Sequence, residues 1–243
     1  MMKILITGAT SGIGHELAKI YKQGNHEVIA LGRNQEALKN LENIGIETRQ
    51  VDLSNLEATR EIFKAIEAKH GHIDLAILNA GNCEYIDCKD FDAQLIKRVF
   101  DANVITLANS IEGVLPLLRK SRQPHLAGVA SMAAYLPLSR AEAYGASKVA
   151  ANYLLEALAI DLIDENITVS IINPGFVKTP LTDKNDFPMP FVLEAHEAAK
   201  IIVRGIAAKK IEIHFPLRLT IPMKLLSLFP RKLWRKIGQK FKK

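Results

Sequence analysis

Short runs of β-branched and aliphatic residues alternate along this chain with longer stretches in which apolar residues recur every three to four positions. The short runs predict strands, and the longer stretches predict helices. Seven strands are predicted, at Lys3–Thr7, Glu27–Leu31, Glu47–Val51, Leu75–Asn79, Leu126–Ser131, Thr168–Asn173 and Ile211–Phe215. Six helices are predicted between them, at Gly12–Gly24, Gln35–Ile44, Leu56–Lys69, Phe91–Leu118, Ala143–Asp164 and Leu193–Ala208.

This alternation of strand and helix is typical of βαβ units, which build a mostly parallel sheet. Because the crossovers between parallel strands are right-handed, the helices are expected to cover both faces of the sheet. A chain of 243 residues, 48% of them hydrophobic, is long enough to form one such domain. We therefore predict an α/β protein with a doubly wound, seven-stranded parallel sheet in a single domain, residues 1–216, followed by a separate segment, residues 217–243.

The net charge of +6 is concentrated in that last segment. Nine basic residues and no acidic residue lie between Leu217 and Lys243, which leaves 23 basic and 26 acidic residues in the rest of the chain. The domain is therefore mildly acidic, and the tail is strongly basic.

No long apolar stretch with a small-residue cleavage site opens the sequence, so export is not expected. Cys83 and Cys88 have no second pair of cysteines and are expected to be reduced thiols. The seven histidines share no metal-ligand spacing, so no metal site is predicted. These features favour a cytoplasmic protein.

A glycine-rich turn, Thr-Gly-Ala-Thr-Ser-Gly-Ile-Gly from Thr7 onward, joins the first predicted strand to the first predicted helix. Glycine lets the backbone approach a pyrophosphate, and the free N–H groups at a helix start favour an anion. The spacing differs from the Gly-x-Gly-x-x-Gly of many dinucleotide sites, and a purely structural turn is the alternative. We predict a dinucleotide site whose residues here are Gly8, Thr10, Ser11, Gly12, Ile13 and Gly14.

The end of the second predicted strand bears on which dinucleotide is bound. An acidic residue at this place binds the ribose 2′-hydroxyl of NAD in such folds, but Arg33 stands here. A guanidinium suits a 2′-phosphate, so we predict NADP(H) in preference to NAD(H), with an ordinary solvated arginine as the alternative. Asp52 and Leu53, after the third strand, are predicted to lie at the adenine, although Asp52 or Ser54 would equally serve to cap the next helix.

Tyr144 and Lys148 lie four positions apart in a predicted helix, so their side chains share one face. A free phenol has a pKa of about 10. The neighbouring ammonium and the positive nicotinamide ring are expected to lower that pKa. Tyr144 would then exchange a proton with a substrate oxygen to which Ser131 donates a hydrogen bond. This pattern predicts hydride transfer between a nicotinamide cofactor and a carbonyl or alcohol.

With these residues in place, the chain resembles the short-chain dehydrogenase/reductase family from Lys3 to about Phe215. The resemblance implies a Rossmann-type fold. The motifs that carry it, in family order, are Thr7-Gly8-x-x-x-Gly12-x-Gly14, Asn79-Ala80-Gly81, Asn103, Ser131 with Tyr144-x-x-x-Lys148, and Asn173-Pro174-Gly175-Phe176-Val177-Lys178-Thr179.

The resemblance also implies roles for these residues. Asn103 joins Ser131, Tyr144 and Lys148 in a catalytic tetrad and holds a water that links Lys148 to a proton relay. Val177 and Thr179 are implied to hold the nicotinamide carboxamide. The other residues assigned to the cofactor are Asn79, Ala80 and Gly81 on the adenosine side, together with Tyr144, Lys148, Pro174 and Gly175.

Two segments depart from the family pattern. Leu78 replaces the first asparagine of the usual Asn-Asn-Ala-Gly run, which is expected to remove a structural hydrogen bond and no catalytic group. The segment after Thr179, where the family has its substrate lid, is short. Its Phe187, Met189 and Phe191 predict either a stiff apolar wall of the substrate site or plain core packing.

The basic tail has no counterpart in the family. Leu233, Trp234, Ile237 and Phe241 form one apolar stripe on a basic helix, which favours binding to an anionic membrane surface. Packing of the tail on the domain or on a second subunit is the second interpretation, and nucleic-acid binding is the third and weakest. A membrane-spanning helix is excluded by length.

Taken together, the sequence predicts an NADP(H)-preferring oxidoreductase that acts on a small to medium apolar carbonyl or alcohol. The resemblance to the family also implies a homodimer or homotetramer, since family members commonly dimerise through the helices that correspond to Phe91–Leu118 and Ala143–Asp164. The alternatives of another class are a non-catalytic NADP(H)-binding sensor and a membrane-surface scaffold.

Overall fold

Seven parallel strands form the central sheet of the computed structural model, which describes residues 1–239. Their order across the sheet is β3-β2-β1-β4-β5-β6-β9. The strands are β1 (Lys3–Thr7), β2 (Glu27–Gly32), β3 (Glu47–Gln50), β4 (Leu75–Leu78), β5 (His125–Val129), β6 (Thr168–Pro174) and β9 (Glu212–Phe215). The prediction of a doubly wound, seven-stranded parallel sheet is confirmed, and the strand ends differ from the predicted ones by one or two residues.

Helices cover both faces of this sheet, as the sequence predicts. Polar side chains begin several of them: Asn34 and Asn55 each accept a hydrogen bond from the backbone N–H three residues later. The helices of the domain are α1 (Gly12–Gln23), α2 (Gln35–Glu42), α3 (Leu56–His70), α4 (Ala93–Phe100), α5 (Thr106–Leu118), α6 (Glu142–Asp161) and α7 (Ala195–Ala207).

The prediction that Phe91–Leu118 is one continuous α-helix is wrong. A π-helical turn, Asp101–Ile105, separates α4 from α5. A π turn carries one more residue per hydrogen-bonded ring than an α turn, which re-aims the side chains within it. No periodicity of apolar residues marks such a turn in the sequence.

The core consists of two layers, one on each face of the sheet. Successive strand residues point to opposite faces, so Ile4 and Ile6 pack in one layer and Leu5 in the other. The layer of Leu5 is completed by α3, α5 and α6, and the layer of Ile4 by α1 and α7. Burial on both faces explains why the strands read as continuous apolar runs.

The chain crosses from one half of the sheet to the other between β3 and β4, so β1 and β4 are the neighbours at the centre. In open parallel sheets, ligands bind beyond the carboxyl ends of the strands at this point. Thr7 and Leu78 are paired there at the ends of β1 and β4. This edge is where the site is expected.

Two short strands and two further helices lie in the C-terminal part of the chain. Strands β7 (Val177–Lys178) and β8 (Leu193–Glu194) pair as a small separate sheet. Helices α8 (Leu217–Ser227) and α9 (Arg231–Gln239) occupy the basic tail. Within residues 1–239, no helix is both long enough and apolar enough to cross a membrane. The predicted tail residues Lys240, Phe241, Lys242 and Lys243 lie outside the described residues.

Candidate active site

A cleft of about 610 Å³ opens at the carboxyl edge of the sheet. It is bordered by nearly all the residues that the sequence assigns to a cofactor or to catalysis, from the glycine turn to Thr179. Two of the predicted residues, Gly14 and Asn103, do not border it and lie behind its wall. The described residues contain no group of three or more His, Cys, Asp or Glu side chains placed to hold a metal ion.

The glycine turn has the backbone shape that only glycine adopts without strain. Gly8 and Gly12 have φ angles of +64° and +54°. A methyl group on Gly8 would lie 2.7 Å from the backbone of Ala80, and one on Gly14 would lie 2.3 Å from the carbonyl oxygen of Gly8. Gly14 therefore lets α1 start close to β1, and the backbone of Gly8 and Gly12 faces the cleft.

Asn79 ties this turn to β4. Its side-chain amide donates to the carbonyl oxygens of Thr7 and Gly8, at 3.2 and 3.1 Å. Its backbone N–H donates to the hydroxyl of Thr7 at 3.0 Å. Asn79 therefore borders the cleft and also fixes the position of the glycine turn.

Arg33 extends over the far end of the cleft. Its side chain is 72% exposed and lies 3.9 Å from the carboxylate of Asp52, a distance at which an exposed pair contributes little. Asp52 accepts hydrogen bonds from the N–H and hydroxyl of Ser54. Burial alone would raise the pKa of Asp52, but these hydrogen bonds and Arg33 hold it below its ordinary value. The suggestion that Asp52 or Ser54 caps α3 is wrong, because Asn55 is the capping residue.

Tyr144, Lys148 and Ser131 meet at the other end of the cleft. The Lys148 ammonium lies 5.8 Å from the centre of the Tyr144 ring and donates to the carbonyl oxygen of Val129 at 3.1 Å. Ser131 is nearly buried, and its hydroxyl accepts from the N–H of Ala133. A phenol, a cation and a hydroxyl thus border one cleft.

The pKa of Tyr144 differs from the expectation. Burial raises the pKa of its phenol, as does the nearby Cys83, and a hydrogen bond with Ser131 acts in the opposite direction. The predicted lowering of this pKa is therefore wrong as a net effect, because burial outweighs the groups that favour the phenolate. Burial also lowers the pKa of Lys148 to about 8, so this lysine loses its proton at a lower pH than an exposed lysine does.

Asn103 lies on the π-helical turn and is almost completely buried. Its amide oxygen accepts from the N–H of Asn82 at 2.7 Å, and its amide nitrogen donates to the carbonyl of Asn82 and the hydroxyl of Ser147. A methyl group added at Gly81 would lie 2.8 Å from this amide oxygen and 3.4 Å from the Lys148 ammonium, so Asn103 and Lys148 lie on the same side of the loop at Gly81. Asn103 therefore fixes the loop after β4 to α6, directly behind Lys148.

A network of hydrogen bonds that the sequence did not predict holds the backbone of Ser131 in place. The N–H of Ser131 donates to the side-chain oxygen of Asn173 at 3.1 Å, and the amide of Asn173 donates to Glu212 at 3.0 Å. Tyr135, at the end of the turn that begins at Ser131, donates to the same Glu212 oxygen at 2.6 Å. Lys224 of α8 binds the second oxygen of Glu212.

One carboxylate thus holds both ends of the turn that presents Ser131. Burial alone would raise the pKa of Glu212, but its hydrogen bonds from Lys224, Tyr135 and Asn173 keep it below its ordinary value. Glu212 is therefore ionised at neutral pH, and each of these hydrogen bonds is charge-assisted. These residues are spread along the sequence from Ser131 to Lys224, which leaves no local signal.

The segment after Thr179 forms a wall beside this end of the cleft. Phe187 packs edge-on against Tyr85 and Phe176, with ring centres 5.5 and 6.1 Å apart. Arg140 forms two hydrogen bonds with Asp186 and lies 5.5 Å from the ring centre of Tyr85. Phe191 is 51% exposed, so core packing is excluded for this residue. Phe187 belongs to an aromatic group and not to the main core.

Cys83 is a second group that the sequence reasoning missed. It is buried, and a charge on its thiol would raise the pKa of both Tyr144 and Lys148. Burial raises the pKa of the Cys83 thiol, so the group remains neutral. Cys83 and Cys88 are not joined by a disulfide.

The tail contacts the domain close to this site. The indole N–H of Trp234 donates to the carbonyl oxygen of Pro137 at 2.6 Å. Trp234 and Met223 pack in one apolar cluster with Met132 and Leu136. The prediction that Trp234 faces a membrane is wrong, and the second interpretation, packing on the domain, holds for this residue.

Comparison with known proteins places this geometry in a family. A family model described as short chain dehydrogenase matches residues 2–188. A Myxococcus xanthus protein described as an uncharacterized oxidoreductase is 34% identical over 236 residues, which cover 95% of this chain and 93% of that protein.

Two solved structures show the same fold. A short-chain dehydrogenase/reductase from Burkholderia phymatum in complex with NAD has a TM-score of 0.82 and 23% identity, covering 92% of each chain. An alcohol dehydrogenase from Thermococcus sibiricus complexed with 5-hydroxy-NADP has a TM-score of 0.78 and 20% identity, covering 88% of this chain and 96% of the other.

A doubly wound parallel sheet with a cleft at its carboxyl edge defines the class as a Rossmann-type α/β protein. Within that class, the chain belongs to the short-chain dehydrogenase family, whose members use nicotinamide cofactors.

We predict that Glu212→Gln lowers the turnover number about ten-fold, because neutral hydrogen bonds replace charge-assisted ones on the turn of Ser131. The KM for the cofactor should not change, since Glu212 does not border the cleft. Lys224→Met should show a similar loss and Lys224→Arg should retain turnover. The measurement is steady-state oxidation of the reduced cofactor at saturating carbonyl substrate.

A turnover number of Glu212→Gln equal to that of the natural protein would contradict this role. Thermal unfolding of each variant distinguishes a loss of positioning from a general loss of stability. Glu165→Gln is the matched control, because Glu165 is also paired with a cation, Arg119, but lies before β6, at the end of that strand away from the cleft.

Proposed function

We propose that this protein is an NADP(H)-preferring oxidoreductase that interconverts a carbonyl and an alcohol on a small to medium apolar substrate. The observation that carries the proposal is that Ser131, Tyr144 and Lys148 border the same cleft as the glycine turn and Arg33. A cleft with this layout fits a long dinucleotide, with its reactive ring at the three polar side chains and its pyrophosphate at the helix start.

The residues present fit such a cofactor. Gly8 and Gly12 have no side chain that would obstruct a pyrophosphate. Their positive φ angles are the ones that the glycine turn requires. A bound nicotinamide supplies or accepts a hydride at the substrate carbon. The protein's own side chains carry out all the other proposed steps.

Tyr144 is proposed to move the proton. In the reducing direction its hydroxyl gives a proton to the substrate oxygen, so a hydride on carbon and a proton on oxygen together convert the carbonyl into an alcohol. The raised pKa keeps the phenol protonated at neutral pH, which is the form that this direction requires. In the oxidising direction the phenolate would take the proton back.

Ser131, Lys148 and Asn103 are proposed to assist Tyr144. The Ser131 hydroxyl donates a hydrogen bond to the substrate oxygen and stabilises the negative charge that develops there. The Lys148 ammonium stabilises the phenolate that remains after proton transfer. Asn103 keeps the loop at Asn82 against α6, so the wall behind Lys148 stays closed.

The preference for NADP(H) rests on Arg33. The guanidinium is exposed at the rim of the cleft, where only a long contact with Asp52 competes for it. The family fold accommodates both cofactors, since the Burkholderia relative in fold was solved with NAD and the Thermococcus one with an NADP derivative. The choice is therefore made by side chains such as Arg33.

Two further proposals concern location and assembly. The protein is proposed to be cytoplasmic and to attach to an anionic membrane surface through residues 217–243, which carry nine basic residues and no acidic one. It is also proposed to form a homodimer or homotetramer, which is supported by the exposed apolar residues Val149, Tyr153 and Ile160 on α6.

We expect Arg33→Ala to raise the KM for NADPH by roughly 10- to 100-fold, because a charge-assisted contact with a phosphate is removed. The KM for NADH should stay the same. Both values come from initial rates with either cofactor at a fixed carbonyl concentration. Arg122→Ala, which changes an exposed arginine before β5, is the control. Equal effects of Arg33→Ala on both cofactors would contradict the assignment.

Isotope transfer tests the reaction itself. NADPH that carries deuterium at C4 of the nicotinamide is incubated with a panel of apolar ketones and aldehydes, and the products are examined by mass spectrometry. We expect deuterium on the carbinol carbon of at least one alcohol product. If NADPH raises the melting temperature of the protein but no carbonyl compound acquires the label, the non-catalytic sensor or scaffold is the better account.

A further inference from the structure

Helix α8 exposes a row of large apolar side chains to solvent. Leu217, Ile221, Leu225 and Leu228 recur at intervals of four, four and three residues, so they lie along one side of the helix. They are 56%, 45%, 55% and 82% exposed. We call these four residues the outer stripe of α8.

The residues of the outer stripe are not partly exposed members of the core. The core-facing side of α8 is occupied by Leu219, Met223 and Leu226, which pack in the cluster around Met132 and Leu136. Lys224 points to the domain as well, since it binds Glu212. The helix is thus fixed on its inner side, and the outer stripe is a second apolar side without a function in packing.

The outer stripe continues past the end of α8. Phe229, in the connection to α9, is 54% exposed, and Leu233 on α9 is 42% exposed. A continuous exposed apolar surface of this kind marks an interaction site in a soluble protein.

Basic side chains surround this surface. Arg218, Arg231, Lys232, Arg235 and Lys236 are all exposed. No acidic residue occurs anywhere from Leu217 to Lys243. An apolar row bordered by cations matches an anionic lipid surface, where apolar side chains enter the interface and the cations meet the head groups.

A second copy of the chain fits this surface less well. A symmetric contact would place the same patch on both subunits and would therefore bring two strongly basic tails together. Like charges at such short range oppose association. Charge complementarity consequently selects an anionic bilayer over self-association.

We infer that the outer stripe of α8, extended by Phe229 and Leu233, is the surface that docks on an anionic bilayer, with Trp234 turned away from the lipid. This inference rests on the proposed membrane attachment of the tail and specifies its face. It differs from the face expected from the sequence, since the hydrogen bond of Trp234 to Pro137 keeps the indole against the domain. Helix α8 then lies flat on the membrane, and its inner side remains on the wall that supports Ser131.

The chain contains a single tryptophan, so its fluorescence reports the position of Trp234 directly. The full-length protein is mixed with phosphatidylcholine vesicles containing about one third phosphatidylserine, with and without brominated acyl chains as quenchers. Natural Trp234 is expected to be weakly quenched. The double variant Trp234→Phe with Leu228→Trp, which moves the only tryptophan onto the outer stripe, is expected to be strongly quenched. Strong quenching of Trp234 with weak quenching of the Leu228→Trp variant would overturn the inference.

Vesicle flotation of point variants gives a second measurement. Ile221→Glu removes an apolar side chain and adds a negative charge, so its partitioning should fall about ten-fold or more. Ile44→Glu is the matched control, since Ile44 is 47% exposed and Ile221 45%; its partitioning should not change.

The two proposals fail in different ways. Full-length protein that does not float with anionic vesicles at all would refute the membrane attachment itself. Protein that floats, with Ile221→Glu floating equally well, would leave the attachment intact and refute the outer stripe as the docking face. Circular dichroism of each variant confirms that the comparison is made on folded protein.

Discussion

The ammonium of Lys148 is a positive charge held inside the protein, and the arrangement of the site depends on how that charge is accommodated. A buried charge is costly unless it is hydrogen-bonded, and Lys148 donates to the carbonyl of Val129 at the end of β5. Gly81 leaves room for the Asn103 amide behind it, because a methyl group there would lie 2.8 Å from the amide oxygen. Burial also lowers the pKa of Lys148 to about 8, so a small change in its surroundings would alter its charge near neutral pH.

The surrounding structure can be understood as support for this centre. Asn103 fixes the loop after β4, and Glu212 fixes both ends of the turn that carries Ser131. Because Lys224 of α8 binds Glu212, the tail is joined to the turn of Ser131 by a continuous set of polar contacts. The same helix carries the outer stripe, so one element borders the domain on its inner side and solvent on its outer side.

The sequence predicted those features that have a local pattern. The strands were visible as apolar runs, the glycine turn as a spacing, and Tyr144 with Lys148 as a pair on one helix face. It did not predict the contacts of Glu212, since their partners come from three different segments and meet only in the folded chain. The π-helical turn at Asn103 was missed because one extra residue in a turn leaves no trace in apolar periodicity.

Two errors have the same physical origin. The pKa of Tyr144 was expected to fall because the sequence shows the neighbouring ammonium but not the burial that opposes it. Trp234 was assigned to a membrane because its helix is amphipathic, but amphipathicity does not show which surface the apolar side meets. In both cases the three-dimensional surroundings of the side chain decide the outcome.

The central claim is that Tyr144 transfers the proton, and Tyr144→Phe tests it most directly because only the hydroxyl is removed. The account predicts that turnover with a carbonyl substrate falls at least about 100-fold, the usual contribution of a general acid. NADPH should still raise the melting temperature as it does for the natural protein. Tyr153→Phe, on the exposed side of the same helix, should retain full turnover. Undiminished turnover by Tyr144→Phe would contradict the account.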